Sequence, residues 1–238
     1  MDPVQERELD EELGLWLNRQ FKETFAQESE TWAIERIQRV SENLQAGRPP
    51  ERRFQVEILW VDQMTAFITP GRFIYITREL LQSLASDDPV ALILAHEMAH
   101  YDLGHLDLFR GRWETLRLLP GGAILAAGLR LAQNRTFSVE HEEAADIRAL
   151  KKCLSAGYDG LRCLELFDVL EAHSLDYGDV EGVFGPSDAS VTDTTGPLGW
   201  LTQARSWIKR HTHTHPAIRE RKEALAARLL TLQDKSSR

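Results

Sequence analysis

One stretch constrains this chain more than any other: Ala91-Leu92-Ile93-Leu94-Ala95-His96-Glu97-Met98-Ala99-His100. An apolar run passes straight into an H-E-x-x-H motif. A helix that is apolar all round belongs in the interior, so the rest of the chain has to be organised around this segment. Asp88 reads as its N-cap, with Pro89 at the first helical position, and Gly104 as its close, giving a helix over 89–103. His96 and His100 share one face and can hold one metal ion. Glu97 stands beside them, able to act on a metal-bound water. The competing reading is a buried helix whose histidines satisfy local hydrogen bonds.

Two histidines hold zinc poorly; a catalytic site needs three protein ligands and an open position. The remaining candidates are His105, His141, Glu142, Glu143, Asp146 and the alternation His211, His213, His215. If the motif helix continued, His105 would point away from His96 at about 100° per residue. A surface or capping role is the expectation for it. Glu142-Glu143-Ala144-Ala145-Asp146 lies on a helix expected over Ser138 to Ala156, closed by Gly157. Glu142 and Asp146 are one turn apart. Glu142 can bind the metal while Asp146 accepts the free ring N–H of a ligating histidine. Ala144, Ala145 and Ala149 let that helix approach the motif helix closely. Glu140 and Glu143 read as solvated charge. On an extended segment the three late histidines face one way and could bind metal themselves; the simpler expectation is that only His215 reaches the site.

Periodicity supplies the surroundings. Apolar spacing predicts helices over residues 3–26 and 31–46, expected to pair as an N-terminal hairpin within residues 1–50. Residues 51–238 would then be the catalytic core of one domain spanning 1–238. Period-two stretches predict strands at Phe54–Trp60, Thr65–Thr69 and Phe73–Thr77, with a turn at Pro70-Gly71. A short helix, Arg78 to Ala85, leads into the motif helix. Helices are expected over 106–133, with a break at Pro120-Gly121-Gly122, over 160–173, at Leu198–Lys209 and at Pro216–Leu232. Gly, Pro, Asp, Ser and Thr crowd residues 174–199, the mark of a long irregular loop. The fold class is therefore α+β and mostly helical, with a small sheet packed beside the H-E-x-x-H helix.

A formal charge of −9 argues against nucleic acid and anionic membranes as partners. No apolar run reaches the roughly 18 residues of a membrane span. The acidic start, Met1-Asp2-Pro3-Val4-Gln5-Glu6-Arg7-Glu8, lacks the apolar core of a signal peptide. A cytoplasmic protein is the expectation, with a trimmed exported form as the alternative. Cys153 and Cys163 are expected as two buried free thiols, although a single bridge between them is conceivable.

At this point a family comes into view. His96-Glu97-x-x-His100, Glu142-x-x-x-Asp146, Thr65-Ala66-Phe67 with Pro70-Gly71 and Tyr75-Ile76-Thr77-Arg78, Ala156-Gly157-Tyr158-Asp159, and Thr214-His215-Pro216 followed by Arg221 resemble the HtpX/Oma-type zinc metallopeptidases. That group includes the CAAX prenyl proteases. The resemblance implies a gluzincin-like zincin: one zinc ion on His96, His100 and Glu142, Glu97 as general base, and Asp146 orienting a ligand. It implies that His215 and Arg221 face the site near the oxygen that becomes negatively charged. It also implies substrate binding along Thr65, Ala66 and Phe67, with Thr65 standing where the family usually has Asn. The function that follows is an endopeptidase hydrolysing unfolded or damaged polypeptides, with His215 a candidate to hold the fourth metal position in a latent form. The alternatives are a non-catalytic, zinc-containing module that binds unfolded chains and a zinc hydrolase of non-peptide substrates.

Overall fold

A period of two puts Ile74 and Ile76 on one side of a strand and Phe73, Tyr75 and Thr77 on the other, and all five of these residues are buried. That strand, β3 (Phe73–Thr77), is the centre of a three-stranded sheet. β1 (Gln55–Leu59) runs parallel to it and β2 (Ala66–Thr69) antiparallel, in the order β1-β3-β2. Val56 lies opposite Ile74, and Phe67 opposite Tyr75. The computed structural model describes residues 2–25, 29–60, 64–106, 137–176 and 218–236. The helix expected over 106–133, the loop beyond Asp176, the piece at Leu198–Lys209 and the histidines 211, 213 and 215 lie outside these residues.

The two faces of the sheet are covered by different helices. α1 (Pro3–Thr24) lies on the Tyr75 side, where the Phe21 ring packs 5.7 Å from Phe67 and 4.7 Å from Tyr75. The Tyr75 hydroxyl donates to Asn18 Oδ1 at 3.0 Å. α1 also grips the turn Pro70–Arg72: Asp10 accepts from the Gly71 N–H at 3.0 Å and from the Tyr101 hydroxyl. The approach is so close that a Cβ on Gly14 would lie 2.3 Å from the Pro70 carbonyl oxygen. Arg72, a non-glycine residue at φ 64°, is held in that left-handed conformation with its guanidinium on Glu11 (2.8 Å) and the Tyr101 hydroxyl (3.2 Å). α2 (Thr31–Leu44) instead brings Ala33, Ile37, Val40 and Leu44 into the core that takes Ile74 and Ile76. α1 and α2 thus cover opposite sides of the sheet, α1 on Tyr75 and α2 on Ile74 and Ile76.

α3 (Arg78–Ser83) leads into α4 (Asp87–Asp102), the motif helix, in which every residue from Pro89 to His100 is buried. Each Leu or Ile buried there contributes roughly 1.5–3 kcal/mol. α4 starts earlier than its sequence suggests, with Ser86 as N-cap in place of Asp88. The two aspartates are engaged elsewhere: Asp87 accepts from Arg36 (3.1 Å) and Arg39 (2.9 Å), and Asp88 accepts the Asp159 N–H at 2.8 Å. Both carboxylates still sit where the helix dipole favours negative charge.

α5 (Val139–Ser155) packs along α4, and its Ala145 and Ala149 are completely buried. The helix predicted over 160–173 divides into α6 (Gly160–Cys163) and α7 (Glu165–Asp176). α8 (Ile218–Ser236) packs on α5 and α7. Cys153 and Cys163 are free and buried. No helix among the described residues is long and apolar enough to cross a membrane.

Candidate active site

Helical spacing puts His96 and His100 on the same side of α4, and the packing of α5 sets Glu142 against them. The two Nε2 atoms lie 2.9 Å apart. Glu142 Oε2 is 3.6 Å from His96 Nε2, and Oε1 is 3.4 Å from His100 Nε2. All three residues are buried, and their ligand atoms fall within 4.8 Å of one another. Tetrahedral ligands at zinc bond lengths stand roughly 3.4 Å apart, so these donors suit such an ion.

Behind the three donors sits a charged support. His96 Nδ1 is 2.9 Å from Asp146 Oδ1, so that nitrogen carries hydrogen toward the carboxylate. Asp146 is gripped by Arg221 of α8, whose Nε and a terminal nitrogen donate at 2.8 and 2.7 Å. The other terminal nitrogen lies 2.9 Å from Glu142 Oε2. The guanidinium carbon stands 5.5 Å from the centre of the Phe167 ring. Arg221 thus reaches the site engaged with two carboxylates through all three of its guanidinium nitrogens.

Protonation follows from these neighbours. Burial holds the pKa of His100 down to about 3, leaving a neutral imidazole at ordinary pH. Burial also disfavours charge on His96, but the Asp146 carboxylate outweighs it and raises that pKa. For Asp146, burial works upward, yet hydrogen bonds from Arg221 and His96 keep its carboxyl below the usual range. Glu97, Glu142 and Asp146 are all buried here, while Arg221 is the guanidinium among them in the described residues. Buried negative charge without a matching cation is costly, and a divalent ion between the donors would match it. The residues therefore fit zinc by both spacing and charge.

The model of peptidase family M48 matches residues 27–229. The chain belongs to peptidase family M48. It is accordingly a zinc metallopeptidase, a hydrolase acting on peptide bonds, and its mostly helical body with a small sheet follows the zincin-like plan. No curated protein matches the chain. In this M48 peptidase α1 precedes the matched stretch.

The other residues singled out from sequence fall into place around that centre. Glu97 is buried on α4 next to His96. Thr65 is fastened to β3: its N–H donates to Thr77 Oγ1 at 3.1 Å, and its carbonyl accepts the Thr77 N–H at 3.0 Å. Ala66 and Phe67 open β2, one of the sheet's two edge strands among the described residues. The Phe67 ring is turned to Phe21 and Tyr75, and so serves the α1 contact. His141 and Glu143 are exposed. His215 lies outside the described residues.

His105 is the residue that sequence reasoning set aside and the structure brings in. Extending the helix through position 105 pointed it away. α4 stops at Asp102, and Gly104 turns left-handed (φ 73°). The Gly104 N–H donates to the Tyr101 carbonyl and the His105 N–H to the His100 carbonyl, each at 3.0 Å, which is the Schellman close of a helix. That geometry folds position 105 back over position 100. His105 Nδ1 ends 2.9 Å from His100 Nδ1. The signal was Gly104, already legible as a helix stop.

Proposed function

We propose that His96, His100 and Glu142 hold a single zinc ion and that Glu97 is the general base of an endopeptidase acting on unfolded or damaged polypeptides. The observation that carries this reading is the buried His96–His100–Glu142 cluster with Asp146 and Arg221 locked behind it. Zinc in such a site supplies a Lewis acid and lowers the pKa of its water to near 7. Glu97, one residue from a ligand and buried, takes the proton of the attacking water and hands it to the departing amine. Asp146 keeps the His96 ring in one tautomer and orientation, with Nε2 toward Glu142. Arg221 fixes both carboxylates of α5, so Glu142 and Asp146 keep their spacing through the cycle.

The substrate class follows from β2. Its outer side is one of the sheet's two edges among the described residues, and the strand packs against α4. An extended chain can add to such an edge by backbone pairing, which selects little for sequence. Only a locally unfolded segment can offer that shape. Within its family we place the chain nearest the HtpX/Oma type, as one catalytic domain that includes α1.

The test is casein cleavage by the wild type and by Glu97→Gln with zinc content measured in both. The variant should keep its zinc and lose about 100- to 10,000-fold in kcat. Equal activity in the two would remove Glu97 from the mechanism; negligible activity in both would favour a module that binds unfolded chains.

A further inference from the structure

Every metal-bound imidazole has a second nitrogen to account for. On His96 it is Nδ1, facing Asp146. On His100 the nitrogen toward Glu142 and His96 is Nε2, and the one left over is Nδ1. His100 is only 1% exposed, and His105 Nδ1 is within hydrogen-bonding distance of that atom.

We propose that His105 is a positioning residue for the metal centre: it accepts the Nδ1–H of His100 and thereby fixes the tautomer that leaves His100 Nε2 free to bind zinc. The inference rests on His100 being a ligand, as argued above. The direction of the bond follows from that role. A nitrogen bound to metal holds no hydrogen, so in a neutral ring the hydrogen is on the other one, and His105 Nδ1 must offer a lone pair to it. His105 then carries its own hydrogen on Nε2.

The surroundings hold His105 to this task. Its backbone is locked by the Schellman close, with the N–H on the carbonyl of the same His100 whose ring it touches. His141 stacks on its ring at 4.2 Å between centroids, and Phe137 covers the His100 ring at 3.9 Å. The ring is thus bounded by the end of α4, by Phe137 and by His141 of α5. The two histidine ligands differ in support: a carboxylate stands behind His96 and a neutral imidazole behind His100. A neutral acceptor orients the ring without adding a further negative charge beside Glu97, Glu142 and Asp146.

The test uses zinc affinity, measured by chelator competition on the full chain, and the imidazole N–H resonance of His100 in the zinc-loaded protein. His105→Asn puts a carbonyl oxygen where Nδ1 was and keeps an acceptor. His105→Phe keeps the stacked ring and loses the acceptor. The proposal expects His105→Phe to bind zinc about 10- to 100-fold more weakly and to lose or shift the His100 Nδ1–H resonance, while His105→Asn stays within a few-fold of wild type and retains it. Wild-type affinity in His105→Phe overturns the proposal, and so does equal weakening in both variants, which would mark a packing role. His100→Ala separates this from the ligand assignment: if that variant binds zinc as tightly as wild type, the ligand set itself is wrong and the role of His105 goes with it.

Discussion

α4 is held by two neighbours that work in opposite ways. α5 meets it through buried charge: Glu142 and Asp146 stand against His96 and His100, with Arg221 behind them. α1 reaches its end through Asp10 and the Tyr101 hydroxyl, and covers the sheet with aromatic rings. The first interface lies inside the matched family stretch and the second helix precedes it. The difference is one of dependence. At the α5 side the buried polar groups contact one another, so removing one strands its partners. On the α1 side packing dominates, and a lesion should cost stability locally and leave the metal donors where they are.

The sharpest way to break the comparison is Arg221→Leu. It leaves Glu142 and Asp146 buried without their guanidinium, and removing one partner of such a network costs about 3–5 kcal/mol. Urea unfolding of the zinc-free variant should show that loss, with part of it recovered on adding zinc. A cost below about 1 kcal/mol would mean the network contributes no more than a surface ion pair.

Gly14→Ala probes the other side. Its Cβ would meet the Pro70 carbonyl at 2.3 Å, so α1 must shift off the turn. Overpacking of this kind costs about 1–3 kcal/mol, against a helix-propensity gain near 1 kcal/mol. Net destabilisation with unchanged zinc affinity is the expected result. Weakened zinc binding would show that α1 positions the metal centre after all.

The smallest effect is the pH response of the zinc-free protein, which belongs to the α5 side. His96 has a raised pKa, so its contribution to stability is complete below about 6.5 and is lost as pH rises through its folded value. His100 has a lowered pKa, so its contribution is complete above about 6.5 and is lost as pH falls toward about 3. From these two residues stability should peak near pH 6.5 and decline below it by at most about 1.4 kcal/mol per pH unit. Urea midpoints between pH 5 and 8 would show the peak, and a monotonic rise toward pH 8 would contradict it.

The divide between what was legible in the sequence and what was not follows the range of the forces involved. Helical spacing alone placed His96 with His100 and Glu142 with Asp146, because each pair is one turn apart on its own helix. Strand alternation placed Ile74 and Ile76 opposite Tyr75. Arg221 is 75 residues from the Asp146 it grips, and no local pattern encodes that pair; it entered only through resemblance. Which side of the sheet each N-terminal helix covers depended on the surface its stripe would find, Phe21 meeting Phe67 and Tyr75. The motif helix begins at Asp87, and the Asp88 carboxylate accepts from distant Asp159 and from Ser86. His105 is the exception, since its placement was local: Gly104 both stops the helix and aims the next residue at His100.

The central claim is that His96, His100 and Glu142 together hold one zinc ion. A crystal of the purified protein, measured on either side of the zinc absorption edge, tests it directly. One anomalous peak is expected about 2.0–2.2 Å from His96 Nε2, His100 Nε2 and a Glu142 oxygen. A peak held by other residues, or two ions sharing these donors, would contradict it.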